Sequence, residues 1–161
     1  PKDNKSVPGL TNPEMISYLI KFQAIAFHDD VEKIFWYNYK DRGPDREFAE
    51  DHFGLIDFWG YPKPAYLAYV NMSMSLADKV AAGVVRKKDI WAYRFAGESE
   101  DVIVAWSFPA RSAEVSLADL GIALSSDENI RVTNAIGDPI AIGNDQIALL
   151  HEPVFIHVGG R

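Results

Sequence analysis

The sequence contains no cysteine. This rules out disulfides and thiolate metal sites, and it suits a cytoplasmic protein as well as a bacterial secreted one that does without disulfides. There is no basic excess either, since 16 Lys and Arg stand against 23 Asp and Glu for a net charge of −7. A nucleic-acid backbone selects a basic face, so no nucleic-acid partner is expected. No apolar run approaches the roughly 20 residues that span a bilayer, so no membrane partner is expected, and no signal peptide is visible. The glycines lie in turns, without a phosphate-cradling loop behind a strand, and there is no Gly-x-Ser-x-Gly nucleophile turn. His28, His52, His151 and His157 are scattered without a metal-ligand spacing, which reads as surface or packing histidine. No metal and no cofactor are expected.

What is present is apolar and aromatic: 48% hydrophobic residues and 12% Phe, Trp and Tyr over 161 positions, enough for one domain or two small ones. "TNPEM" opens a helix, with Thr11 and Glu14 at capping-box spacing and Pro13 in the first turn. Ile16, Leu19, Ile20, Gln23 and Phe27 continue it at helical period, predicting a helix over 11–28. "VEKIFWYNY" is rich in aromatic and β-branched residues and predicts a strand over 31–39, apolar on both faces as in parallel sheets covered by helices. A charged loop follows, and then a helix predicted over 64–81, with Gly83 as its stop.

Helix, strand, helix is α/β rhythm, but one strand closes no sheet, and both its edges need partners. After Arg86 the pattern changes to short β-rich runs, "DIWAYRFAG", "DVIVAWSF", "SAEVSL", "NIRVTNA", "PIAIG", "QIALL" and "PVFIHVG", separated by turn chemistry. These predict an antiparallel β-sandwich over about 88–158. The boundary between the two styles falls near 83–88, which gives domains of 1–85 and 86–161.

The loop after the predicted strand holds Asp41, Asp45, Glu47, Glu50 and Asp51. Paired carboxylates are what glycoside hydrolysis uses, although Lys40, Arg42 and Arg46 also make this an ordinary solvated loop. On alternation, Ile34, Trp36 and Asn38 share one strand face and Phe35, Tyr37 and Tyr39 the other. With helices over the second face, Trp36 would end a buried strand as an apolar plane beside an amide and carboxylates, which suits a sugar ring; an ordinary core tryptophan has the same pattern.

The stretch "FWYNYKDRGPDREFAEDHFGLIDFWGYPKPAYLAY", Phe35 to Tyr69, resembles the last βα unit of (β/α)8-barrel glycoside hydrolases of the large retaining clan. The matching positions are Trp36-Tyr37, Asp41 and Gly43, Glu50, Phe53-Gly54-Leu55 and Pro62 to Tyr66. The resemblance implies a partial (β/α)8 barrel (helix 7, strand 8 and helix 8) followed by the C-terminal β-sandwich. It also implies that the clan's acid/base and nucleophile glutamates, which end the fourth and seventh strands, precede Pro1. No catalytic residue is then expected in this chain, which alone would be inactive.

The implied substrate-binding residues are Trp36 as the floor of the cleavage subsite, with Asn38 and Asp41 at the rim. The implied partners are a carbohydrate and either the missing N-terminal barrel segment or another copy of the chain. Two further readings stand beside this one. The β-rich part is a carbohydrate-binding module using Trp91, Tyr93, Trp106 and Phe155, or it is a structural clamp on the last helix.

Overall fold

A computed structural model describes residues 10–45, 47–108, 112–122 and 129–159. The loop expected over most of 1–10, and the turn residues at 109–111 and 125–128, lie outside the described residues.

The first helix, α1 (Asn12–His28), forms where its capping box predicts. The Glu14 amide donates to the Thr11 hydroxyl at 3.4 Å, and the Thr11 amide donates to the Glu14 carboxylate at 2.8 Å. Two amide donors that the helix cannot use internally are thereby satisfied. The second helix, α2 (Pro64–Leu76), begins on its proline as expected but ends short of residue 81. Ala77 turns to extended backbone at ψ 136°, and Asp78 takes a left-handed φ of 58°. Val80 and Ala81 then open a strand, β1 (Val80–Lys87), that helical spacing had absorbed into the helix. Gly83 does not stop a helix. It sits at an irregularity in β1, where the pairing steps from Ala81–Phe95 to Gly83–Arg94.

Every β-rich run becomes a strand: β2 (Ile90–Ala96), β3 (Glu100–Ser107), β4 (Ala113–Ser116), β5 (Asn129–Thr133), β6 (Pro139–Ile140), β7 (Gln146–Leu149) and β8 (Val154–Gly159). Five of them join β1 in one sheet in the order β1-β2-β3-β8-β5-β6, antiparallel throughout, while β4 and β7 pair as a separate two-stranded sheet. Alternation sorts the large sheet's side chains into two apolar layers. On one face Tyr93, Phe95, Val102, Val104, Trp106 and Phe155 pack against Ile20 and Ala24 of α1 and Ala68, Met72 and Leu76 of α2. On the other face Ala92, Ile103, Val132 and Ile156 pack against Val115, Ile147 and Leu149 of the small sheet. The molecule is a sheet-rich α/β domain with helices on one side of an antiparallel sheet and a hairpin-sized sheet on the other.

The strand expected over 31–39 does not form. Among the described residues, no backbone hydrogen bond ties 32–37 to another segment. Pairing starts only at the far end, where Asn38 N donates to Phe53 O at 3.2 Å and Lys40 forms a single parallel bridge with Ile56. A ladder needs at least one neighbouring strand, and among the described residues none is hydrogen-bonded alongside 32–37. The two faces are also exchanged relative to expectation. Trp36 packs with Leu19 of α1, Leu55 and Ala65 of α2, whereas Phe35, Tyr37 and Tyr39 are 87%, 62% and 63% exposed.

Candidate functional site

The loop between the 31–39 segment and α2 is held by an interlocked set of contacts that uses most of the motif residues. Tyr39 O accepts from both Leu55 N and Ile56 N at 3.0 Å, and Asp41 N donates to Ile56 O at 3.0 Å. Lys63 N returns to Leu55 O at 3.0 Å, so the residue before α2 is tied to the same strip. The Tyr37–Asn38 peptide within this strip is cis.

Asp41 lies at the centre and is 6% exposed. Its Oδ1 accepts from Gly54 N at 2.8 Å and from Lys63 Nζ at 2.7 Å, and His52 Nδ1 stands 3.8 Å from Oδ2. Lys63 Nζ also donates to His52 O at 3.1 Å. A buried carboxylate is tolerated only when paired and hydrogen-bonded, and both conditions are met here. Both motif glycines sit at close approaches, Gly54 against backbone and Gly43 against a side chain. A Cβ on Gly54 would meet Asp41 Oδ1 and Ile56 O at 2.6 Å, and one on Gly43 would meet the Asp51 carboxyl carbon at 2.7 Å.

Three of the other loop carboxylates, all more exposed than Asp41, also have partners. Asp51 Oδ2 accepts from Asp45 N at 3.2 Å, Asp45 Oδ1 accepts from Glu47 N at 3.0 Å, and Glu50 pairs with Arg42 at 3.4 Å. Arg42 also reaches the Tyr37 hydroxyl at 3.5 Å.

The three residues expected to contact substrate therefore occupy different situations. Trp36 is half-buried, with its indole N–H donating to Phe53 O at 3.3 Å. Asp41 is committed to Lys63 and Gly54. Asn38 carries a buried Oδ1 with no hydrogen-bond partner. The open aromatic surface belongs to Phe35, Tyr37 and Tyr39, which alternation places under the helices, and to Phe58, Trp59 and Tyr61, to which the sequence assigns no face. Tyr37 lies edge-to-face on Phe53 at 6.2 Å, and Phe58 on Trp59 at 5.7 Å in the turn before α2. Trp59 and Tyr61 are 69% and 70% exposed. Lys63 as the partner of Asp41 was also missed; the only signal was its place between Pro62 and Pro64.

The β-strand aromatics are core. Tyr93, Trp106 and Phe155 are buried against the helices, and Trp91 is half-buried beside Arg86, whose guanidinium lies 4.7 Å from its ring. Among the described residues no three His, Asp or Glu side chains converge as a metal site would need, and no helix is long and apolar enough to cross a membrane.

Comparison with solved structures relates this fold to carbohydrate-active enzymes. A family 39 glycoside hydrolase from the gut symbiont Bacteroides cellulosilyticus WH2 superposes with a TM-score of 0.77 and 18% identity, covering 94% of this chain and 31% of that one. A GH30 endoxylanase from Clostridium papyrosolvens C71 superposes with a TM-score of 0.53 and 14% identity, covering 98% of this chain and 40% of that one. The chain thus has the fold of part of these two structures and spans less than half the length of each. No family model matches the sequence, and no curated protein sequence does either.

Proposed function

We propose that this chain is the C-terminal part of a glycoside hydrolase acting on O-glycosidic bonds of an oligo- or polysaccharide. It supplies one wall of the sugar site and the β-domain that braces it, while the catalytic carboxylates lie on a preceding segment. The observation that carries this reading is the 31–41 segment. It is covered by two helices on one side through Trp36, bare on the other through Phe35, Tyr37 and Tyr39, and unpaired along 32–37. Such a segment is a barrel strand awaiting neighbours, and exposed apolar residues on the outer faces of the helices, among them Tyr18, Phe22, Leu67 and Met74, agree with missing packing partners. In this arrangement 1–85 is the last part of a (β/α)8 barrel and 86–161 an accessory β-domain, with β1 joining them.

Within the site the reading assigns different tasks to the expected residues. Tyr37 presents the open ring at the strand's end and stacks on the sugar, and the unpartnered Asn38 carbonyl accepts from a sugar hydroxyl. Trp36 supports that strand end from behind, and Asp41 with Lys63 holds the rim loop in shape. Active sites of such barrels are built from the loops after the strands, where this loop lies. Burial of Tyr93, Trp106 and Phe155 favours the structural clamp over a separate carbohydrate-binding module.

The test is to express the chain with and without the polypeptide that precedes it. Release of reducing ends from xylan and other polysaccharides, and cleavage of aryl glycosides, would then be measured. The longer protein is expected to turn over and the chain alone to be inactive, with Tyr37→Ala lowering kcat of the longer protein at least about tenfold. A longer protein inert on every glycoside, or activity of the chain alone that Glu50→Gln abolishes, would overturn the reading.

A further inference from the structure

The turn before α2 carries aromatic surface to which the reading above gives no task. Ile56 bridges Lys40 in parallel, so the chain leaves Ile56 in the direction of the 31–41 segment. Asp57 to Tyr61 then reverse it beyond the end of that segment, and Pro62 returns antiparallel to Ile56. The turn thus stands on the same end as the loop after Asp41, which is the end where barrel sites are built.

Asp57 fixes the shape of this turn. Its N–H donates to Tyr61 O at 2.8 Å, its carbonyl accepts from Gly60 N at 3.1 Å, and its Oδ1 accepts from Tyr61 N at 2.8 Å. A backbone tied in this way presents its side chains with little left to order on binding. Those side chains are Phe58, Trp59 and Tyr61, the last two more than two-thirds exposed. Phe58 meets Trp59 at 85° between ring planes, edge against face, so it braces the indole without stacking flat on it. Lys40 Nζ lies 6.0 Å from the Phe58 ring and makes no salt bridge among the described residues.

We infer that the Trp59–Tyr61 turn is a second sugar platform, which holds a neutral sugar of a polysaccharide chain some way from the ring on Tyr37. Tyr37 pairs with Phe53 and Trp59 with Phe58, and among the described residues no ring contact joins the two pairs. The backbone path from Tyr37 through Lys40 and Ile56 to Trp59 is at most about 25 Å. One pyranose cannot cover both platforms, and a short chain of them can. The C–H face of a sugar lies on the indole while its hydroxyls reach the Lys40 ammonium, the Asp57 carboxylate and the Tyr61 phenol. A protein surface packing here would want unbroken apolar contact, and Lys40, Asp57 and Gly60 interrupt the rings. The sugar class rests on the glycosidase reading, and the inference adds to it that the protein prefers a chain of sugars to a small glycoside.

The experiment titrates the isotope-labelled chain with xylohexaose, cellohexaose and mannohexaose, and with xylose, glucose and mannose, and follows the indole N–H resonances of its 4 tryptophans by NMR. The resonance that Trp59→Ala removes identifies Trp59. It is expected to shift with at least one hexasaccharide while that of the buried Trp106 stays in place. Trp59→Ala should weaken binding of that hexasaccharide at least about fivefold, with Trp59→Phe keeping most of it. Both variants should melt as the parent does, because the ring is exposed. A Trp59 resonance unmoved by every hexasaccharide, affinity unchanged in Trp59→Ala, or a monosaccharide that binds as tightly as its hexasaccharide would overturn the inference. The two readings fail separately. A longer protein inert on every glycoside defeats the glycosidase reading and leaves a shift at Trp59 standing, whereas a silent Trp59 beside an active longer protein defeats only the second platform.

Discussion

Lys63 and Asp41 stand 22 positions apart in the chain, and their Nζ and Oδ1 atoms meet at 2.7 Å with the carboxylate almost wholly buried. The pair closes the 41–63 loop on itself at the point where α2 begins. Removing Lys63 leaves the buried Asp41 charge without its partner, and removing Asp41 leaves the Lys63 ammonium without its carboxylate and also frees Gly54 N. Asp41→Ala is therefore expected to destabilise the protein by about 3 kcal/mol, and Lys63→Met by a similar amount. Urea unfolding followed by fluorescence checks this, and a loss under 1 kcal/mol in both variants would mean the pair is solvated.

Two glycines of the same loop have different reasons to be glycine. Gly54 has Asp41 Oδ1 and Ile56 O where a Cβ would go, so Gly54→Ala must push backbone apart and should cost at least 2 kcal/mol. Gly60 has open space around it and a φ of 98°, so Gly60→Ala should cost only about 1–2 kcal/mol of backbone strain. Thermal melts of the two variants should rank in that order.

Trp36 and Tyr37 separate support from contact. Trp36→Ala removes a half-buried ring from the cluster with Leu19, Leu55 and Ala65 and should lower stability by about 2–3 kcal/mol. Tyr37→Ala removes an exposed ring and should change stability by less than about 0.5 kcal/mol. Under the function proposed above, activities of the longer protein should fall in the opposite order, Tyr37→Ala losing kcat while folded Trp36→Ala keeps most of it. Equal melting temperatures for the two variants would contradict this assignment.

His157 adds a pH dependence. It is buried in β8, with Nδ1 3.1 Å from Glu100 Oε1 and an unpartnered Nε2. Burial lowers its pKa below 6.5; the Glu100 hydrogen bond opposes this, while Arg131 and Lys79 reinforce it. In the acid range the unfolded chain then binds more protons at this site than the folded one, so stability falls as pH drops through 6.5 toward the folded value. Denaturant midpoints between pH 7.5 and pH 5 should show the loss, and His157→Gln should flatten it. An identical slope in the variant would place the acid sensitivity elsewhere.

The sequence was most readable where a signal is local. Thr11 and Glu14 are three residues apart and act on one helix end, and the alternating runs after Arg86 carry their own burial pattern in each strand. It was least readable where the deciding partner is distant. Val80 continues the spacing of Met72 and Leu76 as well as a helix would, and only pairing with Ala96 makes it a strand. The 31–39 segment has strand composition, yet a ladder depends on neighbours that composition cannot supply. Strand alternation correctly separated Trp36 from Tyr37, but which of them the helices cover depends on where Leu19 and Ala65 come to rest. Asp41 was singled out for its charge, while its commitment to Lys63 could not be seen across the intervening loop.

The course of β1 bears on how such a chain can be divided or inherited. Val80 to Lys87 pairs along the whole of β2, so a cut at residue 85 would strip the sheet of most of its outer strand. The same cut would separate Ala68 and Met72 from the Tyr93 and Phe95 rings they cover. Modules that move between genes as cassettes keep their apolar interiors to themselves. Here the interior is held in common, so the β-domain could be transplanted only with both helices attached, and a working graft would have to begin before Asn12 rather than at the change of sequence style.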